Sequence, residues 1–132
     1  MKKVLSVGQC NPDHNSIKNY FETNFDCKIT RIDSTEDALS ELRKNSYDLV
    51  LVNRKLDIDY TDGTVLVVEM QKDSSMKQIP IMLISNYPEY QKEAIVLGAV
   101  PGIGKLEYGT DFAFQKVSKY LPPKTIKVSM SL

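Results

Sequence analysis

Short runs of apolar residues alternate along the chain with longer segments in which apolar residues recur every three or four positions. The run at 48–53, D-L-V-L-V-N, is the clearest, and its four consecutive apolar residues predict a central strand buried on both faces. The run at 27–32 alternates instead, which favours a place nearer the edge of the sheet. In full, the predicted strands are 4–7, 27–32, 48–53, 79–84 and 100–104.

Five helices are predicted between and after these strands. Asn11 followed by Pro12 is typical of a helix start, since Asn caps free backbone donors and proline is tolerated in the first turn. Ser34 predicts a second cap, and Thr110 predicts the cap of the last helix, which the prolines at 122–123 end. Ala38, Leu39 and Leu42 are predicted to form the inward stripe of the second helix. The apolar residues that mark the first, third and last helices are Ile17, Tyr20, Phe21, Leu66, Val67, Met70, Phe112, Ala113, Val117, Tyr120 and Leu121.

Strands that alternate with helices at this spacing predict an α/β fold built from βαβ units. Each crossover is expected to be right-handed, which gives a three-layer sandwich around a mostly parallel five-stranded sheet. We predict one domain over residues 1–121 and a tail over 122–132. Apolar and polar residues alternate from Ile126 to Leu132. This segment is either a frayed end or an edge strand that pairs with this chain's sheet or with a neighbour's.

The composition limits the partners and the compartment. The 132 residues carry 17 basic and 17 acidic side chains, a balance that gives no reason to expect a nucleic acid or an anionic membrane as partner. No apolar run approaches the ~20 residues that span a bilayer, and no secretory leader is expected. Cys10 and Cys27 are expected near opposite ends of neighbouring strands, which argues against a disulfide. We therefore expect a cytoplasmic domain.

The carboxyl end of the central strand is the first place to look for a site, because open α/β sheets hold ligands there. The strand ends in Asn53 and opens into a polar loop with Asp57, Asp59 and Asp62. These acids do not fit the calcium-loop template, so we interpret them as a solvated loop. The segment 99–106, A-V-P-G-I-G-K-L, nearly matches a phosphate-binding loop but ends in leucine where a magnesium-binding hydroxyl is needed.

Several of these features together resemble the receiver domain of two-component response regulators, typified by the chemotaxis response regulator. The resemblance covers residues 2–121. It depends on the spacing of the five strands and on D-L-V-L-V-N at 48–53, I-P-I-M-L-I-S at 79–85, G-A at 98–99 and Lys105. It implies a flavodoxin-like three-layer sandwich with five helices and a five-stranded parallel sheet in the order 2-1-3-4-5.

A working receiver has two acidic residues at the end of its first strand, which hold magnesium, and an aspartate at the end of the third, which takes the phosphoryl group. A serine or threonine ends the fourth strand and a lysine the fifth. The matching positions of this chain, in that order, are Gly8, Gln9, Asn53, Ser85 and Lys105. The resemblance therefore implies a degenerate pseudo-receiver that binds no metal and takes no phosphate.

The remaining polar groups at these positions have two interpretations. Without the acids, we expect Lys105 to hydrogen-bond the side-chain oxygen of Asn53. Together with Gln9 and Ser85, these groups form either a mutually satisfied hydrogen-bonded cluster or a repurposed pocket.

Two further departures concern the surface that changes on phosphorylation in the family. Gly102 replaces the aromatic switch residue, and Leu106 stands where a proline is usual, which argues against a rotamer-coupled switch. Tyrosines are enriched in interfaces, although half-buried packing explains them equally well. The residues expected on the usual partner face are Tyr87, Tyr90, Ile103, Tyr108 and Tyr120.

Three functional hypotheses follow. The favoured one is a non-phosphorylatable pseudo-receiver, a stand-alone protein-interaction module of bacterial signalling that is not an enzyme and needs no cofactor. Its partner would be a protein such as a signalling kinase or regulator, and a homodimer through the tail or the last helices is also expected. The alternatives are an enzyme or small-molecule binder on the same fold, and a regulator phosphorylated at another residue such as Asp57.

Overall fold

A computed structural model describes residues 1–124 as an α/β fold in which strands and helices alternate. All five strands are parallel and lie in the order β2-β1-β3-β4-β5, which confirms the flavodoxin-like arrangement. None of the helices within residues 1–124 is both long and apolar enough to cross a membrane. The strands are β1 (Lys2–Val7), β2 (Cys27–Ile32), β3 (Leu49–Asn53), β4 (Ile81–Ile84) and β5 (Val100–Ile103), and the helices are α1 (Asn11–Asn24), α2 (Thr35–Lys44), α3 (Thr64–Gln71), α4 (Pro88–Leu97) and α5 (Asp111–Ser118).

Two apolar cores, one on each face of the sheet, hold the three layers together. The central strand β3 is buried along its apolar run, because helices cover both of its faces. Val50 and Val52 enter one core, whereas Leu49 and Leu51 enter the other. The apolar run is therefore unbroken because successive side chains of β3 point alternately into two buried cores.

Side chains cap two of the helices as predicted. The Ser34 hydroxyl accepts a hydrogen bond from the Asp37 N–H at the start of α2, at 3.1 Å. The Thr110 hydroxyl accepts one from the Ala113 N–H at the start of α5, at 3.2 Å. Each cap satisfies a backbone donor that has no partner inside its helix.

The predicted start of α1 needs a correction. Asn11 is the first residue of the helix, and Cys10 occupies the cap position. The Asn11 side chain does not cap, because its oxygen accepts a hydrogen bond from the Arg31 guanidinium at 2.8 Å. Cys10 is half-buried and Cys27 is buried, and both are free thiols, as predicted.

β4 begins later than the sequence predicts, at Ile81 rather than at residue 79. Pro80 has no N–H to give to the sheet, although its carbonyl accepts a hydrogen bond from the Val50 N–H at 2.9 Å. The strand therefore starts at the first residue after the proline, which has an N–H to give to the sheet.

α5 also differs from the prediction. The helix ends at Ser118, before the prolines at 122–123. Phe112, one of the apolar residues that mark this helix in the sequence, has a side chain that is 58% exposed. The inward positions of α5 are Ala113 and Val117, one turn apart, and Phe112 lies on a different face.

A side chain of α1 accepts a hydrogen bond from one backbone N–H on the outer edge of β2. Glu22 accepts a hydrogen bond from the Ile29 N–H at 2.8 Å, and its other oxygen binds the Lys18 ammonium at 2.8 Å. Burial by itself would raise the pKa of Glu22, but these two partners outweigh it and lower the pKa. An ionised carboxylate thus occupies a position where another strand would pair.

The described chain ends beside the start of β2. Pro123 forms an antiparallel bridge with Phe25, and the Lys124 N–H donates to the Asn24 carbonyl at 2.9 Å. This contact lies at the amino end of the sheet. The predicted edge strand falls on residues 125–132, outside the described residues, and the predicted boundary between domain and tail stays a prediction.

Candidate functional site

A cavity of about 160 Å³ opens at the carboxyl ends of β3, β4 and β5. It brings together three of the five predicted site residues, Asn53, Ser85 and Lys105, whereas Gly8 and Gln9 do not line it. None of its lining residues is Asp or Glu. The remaining lining residues are Arg54, Ile84, Asn86, Tyr87 and Tyr90.

An apolar side chain covers Gly8, the first of the two positions matched to the family's acid pair. Gly8 has φ +83°, and a Cβ built there would lie 2.5 Å from Cγ of Leu56. Leu56 is fully buried although it comes from the polar loop after β3. The Asp57 N–H then donates to the Gly8 carbonyl at 2.9 Å. The loop after β3 is therefore folded over the end of β1.

Gln9, the second of these positions, is buried, and its side chain has no hydrogen-bond partner within residues 1–124. It is 1% exposed, and neither its Oε1 nor its Nε2 hydrogen-bonds to the described protein. Only its backbone carbonyl is bound, by the Arg31 guanidinium at 3.0 Å. Of the two interpretations, the one in which Gln9 belongs to a mutually satisfied cluster is therefore wrong.

Asn53 makes a local hydrogen bond rather than one across the site. Its Nδ2 donates to the Lys55 carbonyl at 2.8 Å, which stabilises the turn out of β3. The predicted hydrogen bond from Lys105 to the Asn53 side-chain oxygen is wrong, because the Lys105 ammonium binds Asp13 instead.

Asp13 lies in the first turn of α1, and its carboxylate forms a part-buried ion pair with Lys105. A second contact supports this attachment, because the ring of Tyr108 stacks on that of Tyr20 with centroids 4.8 Å apart. Burial raises the pKa of Tyr108, and the charge of Asp13 raises it further. The segment after β5 is thus attached to α1 at two points.

Arg54, the residue after Asn53, forms one wall of the cavity. Its guanidinium lies 3.0 Å from the Asp62 carboxylate and 4.0 Å from the centroid of the Tyr90 ring. The Asp62 carboxylate also accepts a hydrogen bond from the Thr64 N–H at 2.9 Å, at the start of α3. The cation beside Asn53 is therefore already neutralised and stacked.

Gln91 of α4 connects β4 to β5. Its Nε2 donates to the Leu83 carbonyl at 2.9 Å and to the Ser85 carbonyl at 3.2 Å, while its Oε1 accepts from the Gly102 N–H at 3.1 Å. The register between the two strands shifts at this point, so the carboxamide replaces missing ladder bonds. A Cβ at residue 102 would overlap the Leu83 carbonyl. This backbone leaves no room for the family's aromatic switch residue.

The acidic loop is ordered by its own backbone. Asp59 accepts a hydrogen bond from the Thr61 N–H at 2.9 Å, and Asp57 is exposed on the loop surface. Within residues 1–124, no group of three His, Cys, Asp or Glu side chains is placed to hold a metal ion. The alternative in which Asp57 is the phosphoryl acceptor stays a prediction.

The residues predicted for the partner face differ in exposure. Tyr87 is 59% exposed and contacts Tyr90 edge to face, with centroids 5.7 Å apart. Ile103 is fully buried, so it cannot contribute to a surface, which corrects its assignment. Tyr108 and Tyr120 are half-buried and pack against one of the cores. The use of this face by a partner stays a prediction.

Sequence reasoning missed three residues that define this site: Asp13, Leu56 and Gln91. Asp13 is the acid nearest in sequence to the substituted pair, and Leu56 is an apolar residue inside a polar loop. Both signals were visible in the sequence. The role of Gln91 was not, because it depends on the register between β4 and β5.

Solved structures share this fold at low sequence identity. The receiver domain of Francisella response regulator 1452 superposes with a TM-score of 0.73 at 22% identity, over 91% of this chain and 97% of that one. Chemotaxis protein CheY4 from Vibrio cholerae gives 0.65 at 19%, over 90% and 94%. NtrX from Brucella abortus gives 0.74 at 20%, over 90% of this chain.

This chain covers only 26% of the length of NtrX. No family model matches the sequence, and no curated protein matches it. The structural matches show that the chain has the fold of response-regulator receiver domains.

Proposed function

We propose that this chain is a non-phosphorylatable receiver domain, which acts as a protein-interaction module in bacterial cytoplasmic signalling and not as an enzyme. One observation carries the proposal: within residues 1–124, no carboxylate lines the cavity at Asn53. Acyl phosphate formation needs a carboxylate oxygen as nucleophile, and magnesium prefers hard oxygen ligands beside the phosphate. The Asn53 amide supplies neither a nucleophile nor a negative charge.

The surroundings of Asn53 support the same conclusion. The ammonium of Lys105, which would meet an incoming phosphoryl group in a working receiver, is bound by Asp13. Leu56 lies over Gly8, where an acidic side chain would need space. Restoring phosphorylation would therefore require changes at several positions and not at Asn53 alone.

The interaction role follows from what the fold still offers. The face formed by α4, β5 and α5 includes a groove of about 320 Å³ between the two helices, and Gln91 holds it in one arrangement. We propose that a protein such as a signalling kinase or regulator binds this face without prior phosphorylation of the domain.

A small-molecule or enzymatic role is less well supported. The cavity at Asn53 holds about 160 Å³, below the ~300 Å³ at which pockets for drug-sized ligands begin. Nucleotides and flavins are therefore too large for it. A thermal-shift screen with nucleotides, flavin and metals would test this, because a shift that disappears in Lys105→Ala would favour the alternative.

The decisive experiment is phosphorylation by acetyl phosphate with Mg²⁺, followed by intact mass measurement. We expect no hydroxylamine-sensitive adduct, while a phosphorylatable receiver treated in parallel is labelled. The variant Asn53→Asp is the matched control, and we expect it to remain unlabelled because Gly8 and Gln9 still replace the acid pair.

An adduct on the wild-type chain would contradict the proposal. Peptide mapping would then locate it, and an adduct at Asp57 would establish the alternative acceptor. A titration with beryllofluoride and Mg²⁺, followed by the backbone amide resonances near Asn53, gives an independent readout, since binding there would also contradict the proposal.

A further inference from the structure

The loop between β3 and α3 presents two large apolar side chains to solvent. Ile58 is 61% exposed and Tyr60 is 75% exposed. Tyr60 also has φ +60°, a left-handed backbone conformation that is rare for a bulky residue. We refer to residues 57–60 as the loop tip. Its apolar side chains and its strained backbone are not explained by packing within residues 1–124.

The loop tip is rigidly supported. The Tyr60 N–H donates to the Leu56 carbonyl at 2.7 Å, and the Leu56 N–H donates to the Thr61 carbonyl at 2.9 Å. The buried Leu56 side chain anchors this turn in the core. A partner would therefore bind the tip with little further loss of conformational entropy.

The tip also carries net negative charge. Asp57 and Asp59 form no ion pair with any residue described here. The Thr61 N–H lowers the pKa of Asp59, which keeps that carboxylate ionised. The chemistry of the tip therefore fits an apolar slot with cations at its rim.

The groove between α4 and α5 has this chemistry. Its volume is about 320 Å³, roughly that of ten water molecules at ~30 Å³ each. Ile95 and Phe112 line it and are 42% and 58% exposed. Lys92 and Lys116 are at its walls, and neither forms an ion pair within residues 1–124.

Two contacts already fix part of the groove. The ammonium of Lys116 lies 3.9 Å from the centroid of the Phe112 ring and donates to the Gly102 carbonyl at 2.9 Å. The carboxylate of Glu107, which also lines the groove, accepts a hydrogen bond from the Gly104 N–H at 2.9 Å. The groove thus keeps one more positive than negative side chain.

We infer that the loop tip of one copy of this chain docks into the α4–α5 groove of a second copy. Tyr60 and Ile58 would fill the slot, and Asp57 and Asp59 would face Lys92 and Lys116. The tip and the groove are different surfaces, so the contact is heterologous and adds copies head to tail. This inference holds whether or not the domain takes phosphate. It uses the same groove as the partner face proposed above, so a second copy and a partner protein would compete for it.

The test uses the purified chain in sedimentation velocity, up to a concentration of about 1 mM, because a small contact of this kind is weak. We expect the average mass to rise with concentration and to fall as salt is added. We compare two double variants. The tip variant is Ile58→Ser with Tyr60→Ser, and the groove variant is Lys92→Glu with Phe112→Ser. In each, self-association should be weakened by about tenfold or more, so that the variant is monomeric where the wild type associates.

Mixing the two variants gives the sharper result. The tip variant keeps its groove and the groove variant keeps its tip, so the mixture should form one-to-one dimers that grow no further. Val96→Ser is the matched control, because Val96 is 85% exposed on α4 and does not line the groove. It should associate as the wild type does.

Three results would overturn the inference. They are a wild-type chain that stays monomeric throughout, a tip variant that associates like the wild type, and a mixture of folded variants that forms no dimer. Thermal unfolding of each variant shows whether it is folded, and amide resonance changes on mixing, mapped onto 57–60 and the groove, verify the surfaces.

Discussion

The ammonium of Lys105 is bound by the carboxylate of Asp13, a residue 92 positions earlier in the chain. This ion pair connects the first turn of α1 to the short segment between β5 and α5, and it occupies the ammonium that was expected to hydrogen-bond Asn53. Lys105, whose position in the sequence matches a central residue of the family's site, therefore has a structural role here.

Removing this ion pair should cost little stability, because the side chains of Lys105 and Asp13 are 38% and 25% exposed. In a double-mutant cycle with Lys105→Met and Asp13→Asn, we expect a coupling free energy of roughly 0.5–1 kcal/mol in urea unfolding. The pair Lys72–Glu69, which is more exposed and lies at the carboxyl end of α3, is the matched comparison and should couple more weakly. Equal coupling in the two pairs would show that Asp13 and Lys105 gain nothing from partial burial.

Restoring an acid at residue 8 should be obstructed by Leu56. Gly8→Asp meets both a left-handed backbone and the Leu56 side chain, so we expect a loss of about 2–4 kcal/mol in the free energy of unfolding. Leu56→Ala alone should cost about 2–5 kcal/mol, since it opens the core. Combined, the two losses should be less than additive, because the smaller side chain makes room.

Gly109→Asp is the control for residue 8. Gly109 has φ +90° but no atom within 4 Å of a built Cβ, so its substitution carries only the backbone strain of about 1–2 kcal/mol. Equal losses at residues 8 and 109 would mean that Leu56 does not exclude the acid.

The Gln91 carboxamide should slow the local separation of β5 from β4. In Gln91→Ala, we expect the Gly102 amide to exchange with solvent about tenfold faster or more, because it loses its acceptor and β4 loses two bonds. Gln115→Ala, on the exposed face of α5, should leave that amide unchanged. An unchanged rate in Gln91→Ala would show that the strands hold together without this side chain.

The Glu22 carboxylate should make stability depend on acid pH. Its pKa in the folded protein is lowered from the ordinary value of 4.5, so its ionisation stabilises the fold. This contribution is fully present above about pH 4.5 and is lost as the pH falls through the folded pKa. We expect Glu22→Gln to be less stable than the wild type at neutral pH. The difference should shrink as the pH falls below 4.5 in urea unfolding, and a constant difference would exclude this role.

The sequence was sufficient to predict the architecture because the local signals agreed with one another. The apolar run at 48–53 required two covered faces, and the caps at Ser34 and Thr110 set helix starts by local hydrogen bonds. The errors were at the ends of elements. Pro80 shortens β4, and the Asn11 side chain binds Arg31 instead of capping α1.

The site was predicted less well. The location of each side chain follows from the strand that precedes it, but its hydrogen-bond or ion-pair partner does not. Asn53, Ser85 and Lys105 were placed correctly at strand ends that meet. The partner of Lys105 depends on a residue that is distant in sequence, since Lys105 binds Asp13 rather than Asn53. The buried, unpartnered side chain of Gln9 was also unpredictable, since residue type alone suggests a satisfied polar group.

The bridge between Pro123 and Phe25 fixes residues 123 and 124 at the amino end of the sheet. The strands begin at that end of the sheet, whereas the cavity at Asn53 and the loop tip at 57–60 are at the other. A fluorescent label or a solid-phase tether attached to the side chain at residue 124 therefore lies at the end of the sheet opposite to both. Immobilised in this way, the protein presents its polar loops outward, which suits it to surface-based measurement of the contacts considered above.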